Sequence, residues 1–384
     1  MTDPKEERRE RAVSEVRLIS VGVIVIAAFL LGLGLYWLGE LIQPLFVAFF
    51  AFFLLRPGAE FLSTKRVPPW SSYAVVVFVF VAMFCMIGLI TINGVAKLQG
   101  DIGIYAESFN TWYAGSKKEG PVWEAVDNFA RDQKWVDATG AVDWTGEVQK
   151  QLVMPAVRGA TMLFGSLRDF LWMLLIVLFY LVFIILESVK FPERVRRAFP
   201  GHSAELLDIG ASIGSGIRQY IQVKTAVSIG TALVSAIVLW WVEVENWALW
   251  SILIFFFNYI PYIGSILASI PPTIQAFFKI VEKEVQRDGE TVIELVAEGH
   301  LWPGIIVGVV LTANQLIWGN LIEPKMTGTK LNISPVVLLA VVAFWGWMWG
   351  VVGMILSVPL AVALKIILTN FKRTRPLAIL MSEQ

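Results

Sequence analysis

Residues 246–278 read NWALWSILIFFFNYIPYIGSILASIPPTIQAFF. No Asp, Glu, Lys or Arg interrupts them. As one straight helix at 1.5 Å per residue they would run roughly 50 Å, against a bilayer hydrocarbon core of about 30 Å. Near the centre stands Asn258-Tyr259-Ile260-Pro261-Tyr262-Ile263-Gly264, followed by Pro271-Pro272. Proline removes an amide donor and glycine loosens a helix. The stretch therefore predicts a membrane-embedded helix with a broken backbone. Residues 331–364 are equally long and free of charge, and Pro335, Gly346, Gly350, Gly353 and Pro359 interrupt them. The fragments Gly264-Ser265-Ile266-Leu267 and Gly353-Met354-Ile355-Leu356 look faintly alike, too little to make an internal repeat.

Further charge-free stretches lie at 18–39, 41–55, 67–96, 170–186, 225–242 and 299–322; the second must borrow Glu40 and Arg56 to reach across. Backbone amides find no water in a bilayer, so these stretches should be helical. Phe49, Phe50, Phe52, Phe53, Leu54 and Leu55 lack the alternation of a barrel strand. The expected fold is all-α: a polytopic membrane protein of about eight transmembrane helices, with broken or re-entrant helices in the C-terminal half. Composition agrees. Of 384 residues 57% are hydrophobic, and the mean hydropathy is +0.67. Charged residues make up 16%, against about 25% in soluble domains. A soluble enzyme, a disordered chain and a nucleic-acid binder are excluded.

Basic and acidic residues balance at 31 each, so position carries the information. Placing both termini in the cytoplasm puts most Lys and Arg inside, including Arg8, Arg9, Arg11, Arg56, Lys65, Arg66, Lys190, Arg194, Arg196, Arg197, Lys372, Arg373 and Arg375. Trp37, Trp70, Trp240, Trp241, Trp247, Trp302 and Trp318 lie near expected span ends, where indole favours the interface. The organisation reads as a cytoplasmic tail (1–17), N-terminal spans (18–96), an extracytoplasmic loop (97–169), a span (170–187), a basic cytoplasmic segment (188–224), a C-terminal unit (225–370) and a tail (371–384). Within the loop, Tyr105, Phe109, Trp112 and Tyr113 recur at helical spacing, as do Trp123, Val126, Phe129 and Ala130 behind Pro121, which reads as amphipathic helices. No cleavable signal peptide is evident at the N-terminus.

Catalytic signals are weak. Cys85 lies in an apolar run, and His202 and His300 make no metal-ligand spacing. Gly210-Ala211-Ser212-Ile213-Gly214 fits the G-x-S-x-G pattern, but a nucleophile elbow needs a preceding strand and this stretch reads as helix. Gly210 and Gly214 also make a small-residue packing motif, as Gly304/Gly308 and Gly346/Gly350 do. No metal, cofactor or P-loop is implied.

Broken helices at membrane depth are tolerated where they are buried or line a wet cavity, and transporters build solute sites from them. The candidate pathway residues are Asn258, Tyr259, Pro261, Tyr262 and Gly264 in the first break, then Asn314, Gln315, Asn320, Glu323, Pro324, Lys325 and Gly328. Amides and phenols there could bind hydroxyl groups. Glu323 and Lys325 could equally be an interfacial ion pair.

Ile260-Pro261-Tyr262-Ile263-Gly264 resembles the I-P-[YF]-[VI]-G signature of the autoinducer-2 exporter family of bacterial permeases. Asn320-Leu321-Ile322-Glu323-Pro324-Lys325-Met326-Thr327-Gly328 resembles its N-x-x-x-P-K-x-x-G segment, and Pro335, Gly350, Gly353 and Val358-Pro359-Leu360 its closing pattern. The resemblance is strong over about 205–370 and looser earlier. It implies a multi-pass protein of the bacterial inner membrane, a homo-oligomer (a pentamer), and export of a small polar solute such as autoinducer-2, driven by an ion gradient or the solute's own gradient. Two other readings stand beside it: a sodium/proton-type antiporter using Glu323 and a coupling cation, and a membrane scaffold without transport.

Overall fold

The structure is a computed structural model that describes residues 32–65, 67–115, 167–261, 263–287, 290–299, 301–327 and 333–382, with scattered residues between 22 and 30. Part of the first expected span (18–21 and several residues up to 31) and most of the 97–169 loop, including Trp123, Val126, Phe129 and Ala130, lie outside the described residues, as do Tyr262 and Gly328. From Gly39 on, the described elements are α1 (Gly39–Thr64), α2 (Pro69–Gly115), α3 (Leu167–Ala198) and α4 (Ser203–Trp241). It continues through α5 (Trp247–Phe257), α6 (Ile263–Phe277), a hairpin of β1 (Phe278–Arg287) and β2 (Glu290–Gly299), and α7 (Leu301–Leu316). A π-helical turn (Ile317–Ile322) leads into α8 (Glu323–Thr327), and α9 (Pro335–Asn370) and α10 (Arg375–Leu380) close the chain.

Among the described residues six helices are long and apolar enough to cross a membrane: Gly39–Thr64, Trp70–Leu98, Phe170–Ala198, Ser203–Trp241, Trp302–Met326 and Pro335–Asn370. Their outward faces are apolar. Phe78 is 74% exposed and Trp302 74%, while Thr91, Ser228, Thr231, Ser235 and Ser357 are buried. Apolar side chains outside and hydroxyls inside suit a hydrocarbon solvent. α4 runs unbroken from 203 to 241, so the later part of the 188–224 segment and the following span form one rod, while Lys190, Arg194, Arg196 and Arg197 end α3.

Residues 246–278 fold back on themselves rather than run as one rod. Trp250 Nε1 on α5 donates to Gln275 Oε1 on α6 at 2.5 Å, so α6 runs back along α5. Arms of 11 and 15 residues are about 16 and 22 Å long, each short of a ~30 Å core. Gly264 permits the reversal, because a Cβ there would lie 1.8 Å from the Phe257 carbonyl oxygen.

α9 folds back on itself in the same way. Trp349 (φ −130°, ψ 15°) and Gly350 (φ 62°, ψ −144°) leave helical geometry. The turn needs the left-handed φ that glycine adopts without a Cβ penalty. Past it, a Cβ on Gly353 would lie 2.0 Å from the Trp345 carbonyl oxygen, and one on Gly346 would lie 2.8 Å from Met354 Cγ. In a straight helix residues eight apart are about 12 Å distant. The two arms, 335–348 and 351–370, share the cluster that holds Val337, Leu338, Val341, Val358, Ala361, Val362 and Ile366.

The hairpins enter from opposite ends of the bundle. α5 and α6 open toward the end where α4 finishes, which also holds the Lys97–Glu245 ion pair (3.8 Å). The α9 arms open toward the end where α4 begins, with Gly216 of α4 against Val362 and Ile366. Their tips meet in the middle. Phe46 of α1 packs on Trp349 (ring centroids 5.6 Å apart) and Phe50, one turn on, packs on Tyr259 (6.2 Å).

The β-hairpin is the one non-helical element among the described residues. Its antiparallel register sets Lys279 opposite Glu298, Lys283 opposite Glu294 and Arg287 opposite Glu290, and it rests against α2. Unlike charges at paired positions favour such a register. Gly304 and Gly308 face Phe277 and Thr273 of α6, so that packing motif works within the chain. Ser212 lies inside α4 with helix on both sides, so the G-x-S-x-G stretch forms no nucleophile elbow.

Candidate functional site

α4 carries a stripe of polar side chains through the protein interior. Tyr220, Lys224, Ser228, Thr231 and Ser235 are buried and follow one another at three- and four-residue steps, which place them on one helix face. Thr231 and Ser235 donate back to the Val227 and Thr231 carbonyls of α4 itself, at 2.8 Å each, and the stripe's partners from elsewhere come from the broken helices or their neighbours.

At the first break, Asn258 Nδ2 donates to Ser228 Oγ at 3.0 Å. Tyr259 OH and Thr225 Oγ1 are 2.6 Å apart. Asn258, Tyr259 and Ile260 are buried, Pro261 half-buried and Gly264 buried. The interruption is thus closed in this conformation by side chains of α4. On α7, Asn314 Nδ2 donates to the Thr231 carbonyl (2.9 Å) and to Ser235 Oγ (3.1 Å). Gln315 is half-buried, and its Nε2 is buried without a partner among the described residues.

One turn below Ser228, Lys224 Nζ donates to both carboxylate oxygens of Glu323, at 2.8 Å each. Lys224 is 6% exposed. Glu323 pairs with Lys224 rather than with Lys325, which is exposed, as are Asn320 and Pro324. Side chains two apart on a helix do not face each other, which removes the Glu323–Lys325 alternative. The π-helical turn makes the Lys224 contact possible. In an α-helix, residues nine apart, as Asn314 and Glu323 are, stand on roughly opposite sides. The wider turn takes up extra backbone, so both face α4. Within that turn Trp318 lies flat on α4: a Cβ on Gly230 would sit 2.1 Å from its ring. Trp318 is therefore half-buried against α4, whereas Trp37, Trp70, Trp240, Trp241, Trp247 and Trp302 are exposed.

Of the candidate residues, the structure gathers Asn258, Tyr259, Asn314 and Glu323 on one face of α4 and leaves Asn320, Pro324 and Lys325 outside. The α4 residues Tyr220, Lys224, Thr225, Ser228, Thr231 and Ser235 are absent from the sequence-based candidates. Their spacing is the signal that could have found them. It is obscured because the charged Lys224 falls where a basic segment ends and an apolar span begins.

Two cavities border α4 on its other faces. One of about 600 Å3 lies between the N-terminal helices and α4, α5 and α9; Phe50, Met83, Leu174, Leu233 and Phe255 are typical of its walls, and only Thr225, Ser251 and Tyr259 bring polar groups to it. The other, about 420 Å3, lies at the basic end between α4 and the second arm of α9. Its walls include Ser212, Ser215, Gln219, Lys365, Thr369 and Asn370.

Comparison with known proteins places this arrangement among carriers. The sequence model described as AI-2E family transporter matches residues 24–285 and 291–373. The AI-2 transport protein TqsA of Escherichia coli K12 is 29% identical over 371 residues, covering 95% of both chains. A putative transport protein of Haemophilus influenzae is 26% identical over 381 residues, covering 94% of this chain and 95% of its own. One from Borreliella burgdorferi is 33% identical over 198 residues, about half of each chain.

Proposed function

The chain belongs to the AI-2E family of transporters, and from that premise we propose that it exports a small polar, hydroxyl-bearing solute of the autoinducer-2 kind by alternating access. It is a multi-pass membrane protein of a transporter family, not an enzyme. The observation that carries the proposal is the pair of re-entrant hairpins, entering from opposite ends, whose tips meet beside the α4 stripe. The first tip brings Gly264 against the Phe257 carbonyl, and the second turns at Gly350 with Gly353 against the Trp345 carbonyl, so each is a short, separately hinged barrier between the stripe and one end of the bundle.

In the conformation described both tips are shut. Opening one would free Asn258 and Tyr259 from Ser228 and Thr225 and offer those four groups to a solute. No P-loop stands in the sequence, so the drive is an ion gradient or the solute's own. The basic end is cytoplasmic under the positive-inside rule, and the family resemblance adds a homo-oligomeric assembly. Reconstituted protein should carry autoinducer-2 into or out of liposomes; flux no greater than from empty vesicles, for this and related hydroxylated solutes, would dismiss the proposal.

A cation/proton antiport reading draws on Glu323, the acid inside the bundle. Both its oxygens are engaged by Lys224, so a coupling cation would have to displace an ammonium group. Cation-dependent proton release lost in Glu323→Gln would favour that reading; unchanged release would remove it.

A further inference from the structure

The cavity at the basic end has the chemistry that the larger, apolar cavity lacks. We infer that it is the loading site of the carrier, a pocket for a neutral or singly anionic polyol, and this rests on the transport reading above. The pocket is about 420 Å3, within the range of small-ligand sites.

Two of its hydroxyls, and an amide N–H, already spend protons within the fold. Ser215 Oγ donates to the Ser212 carbonyl (2.9 Å) and Thr369 Oγ1 to the Lys365 carbonyl (2.7 Å). Asn370 Nδ2 donates to the Ile366 carbonyl (2.8 Å). A hydroxyl has one proton to give and two lone pairs to offer, and an amide oxygen only accepts. Ser215, Thr369 and Asn370 therefore present acceptors to the pocket. A ligand rich in O–H donors matches them. Lys365 supplies the one cationic side chain among the described residues of the pocket wall, which suits an anionic or strongly accepting group on the same ligand.

Its place in the fold gives the pocket its role. Gly216, in its wall, is one turn from Tyr220 and two turns from Lys224 along the same face of α4. Tyr220 OH is buried without a partner among the described residues. Of the α4 residues in the wall only Gly216 lies on the stripe's side, so the pocket opens beside the foot of the stripe, with Tyr220 one turn further along from Gly216. A solute leaving the basic end for the interior meets these groups in that order.

The test uses full-length protein in liposomes with autoinducer-2 as solute. Ser215→Ala and Thr369→Val each remove an acceptor and should raise the half-saturating concentration about three- to tenfold, the worth of one ordinary hydrogen bond, with the maximal rate little changed. A second measurement does not depend on flux. Thr369→Cys in a Cys85→Ser background is modified with a small thiosulfonate reagent, and autoinducer-2 or D-ribose should slow the modification at least threefold. Unaltered half-saturation in both variants, or modification at the same rate with and without either solute, would overturn the inference. Absence of flux in the unaltered protein, together with solute protection of the thiol introduced at position 369, would sink the transport reading while leaving the pocket standing.

Discussion

Removing one half of the Lys224–Glu323 pair should destabilise the protein by about 3 kcal/mol. At 2.8 Å and an effective dielectric near 20, the attraction between the charges is about 6 kcal/mol. Desolvation of both ions offsets much of it. Breaking one side of a buried pair costs about 3–5 kcal/mol, because the remaining charge stays buried alone. Lys224 is nearly enclosed, but Glu323 keeps 25% of its side chain exposed, which lowers the expected loss to the bottom of that range. Thermal unfolding in detergent would compare Lys224→Met, Glu323→Gln and the double variant with the parent. Each single variant should lose about 3 kcal/mol, and the double should lose about 2 kcal/mol less than the sum of the two, since no unpaired charge then remains. Losses that add to within about 0.5 kcal/mol would show that the two groups do not support each other, and the placement of Glu323 against α4 would be wrong.

Other outcomes follow from the same geometry. Gly264→Val or Gly353→Val drives a side chain into a carbonyl oxygen, so each should cost at least 1–3 kcal/mol in the same unfolding assay and stop flux; unchanged flux in both would contradict the two reversals. Asn314→Leu leaves Ser235 and the Thr231 carbonyl without their α7 donor and should cost about 1–3 kcal/mol; stability within experimental error of the parent would deny the contact. In a Cys85→Ser background, Gln286→Cys should react with a membrane-impermeant thiol reagent from the same side as Lys97→Cys and from the opposite side to Arg194→Cys. Labelling of position 286 together with position 194 would mean that 246–278 crosses the bilayer.

The breaks are legible in the sequence because proline and glycine act locally. Pro261, Gly264, Gly350 and Gly353 mark both interruptions. The direction of the chain beyond each break is not legible. A kink and a reversal use the same residues, and which one forms depends on what Trp250 and Trp345 meet in space. Glu323 stands out as an acid at the edge of an apolar stretch, but its partner Lys224 is 99 residues away in sequence, and no periodicity reports such a distance. The β-hairpin has a local signal: Asp288-Gly289 between apolar and charged residues is a strong two-residue turn sequence. A search for apolar spans passes over it, because 279–298 is the charged stretch between two of them.

The 99-residue separation also bears on how the protein is made. Synthesis at about 5–20 residues per second delivers Glu323 some 5–20 s after Lys224. During that interval α4 enters the insertion machinery with an unmatched ammonium at the border of its apolar stretch, and with Ser228 and Ser235 still without the amide donors of Asn258 and Asn314. The helix that ends up at the centre of the carrier thus first meets lipid with its buried polar partners not yet made. Its nascent form must be held by the earlier helices or by the translocon until the last third of the polypeptide arrives.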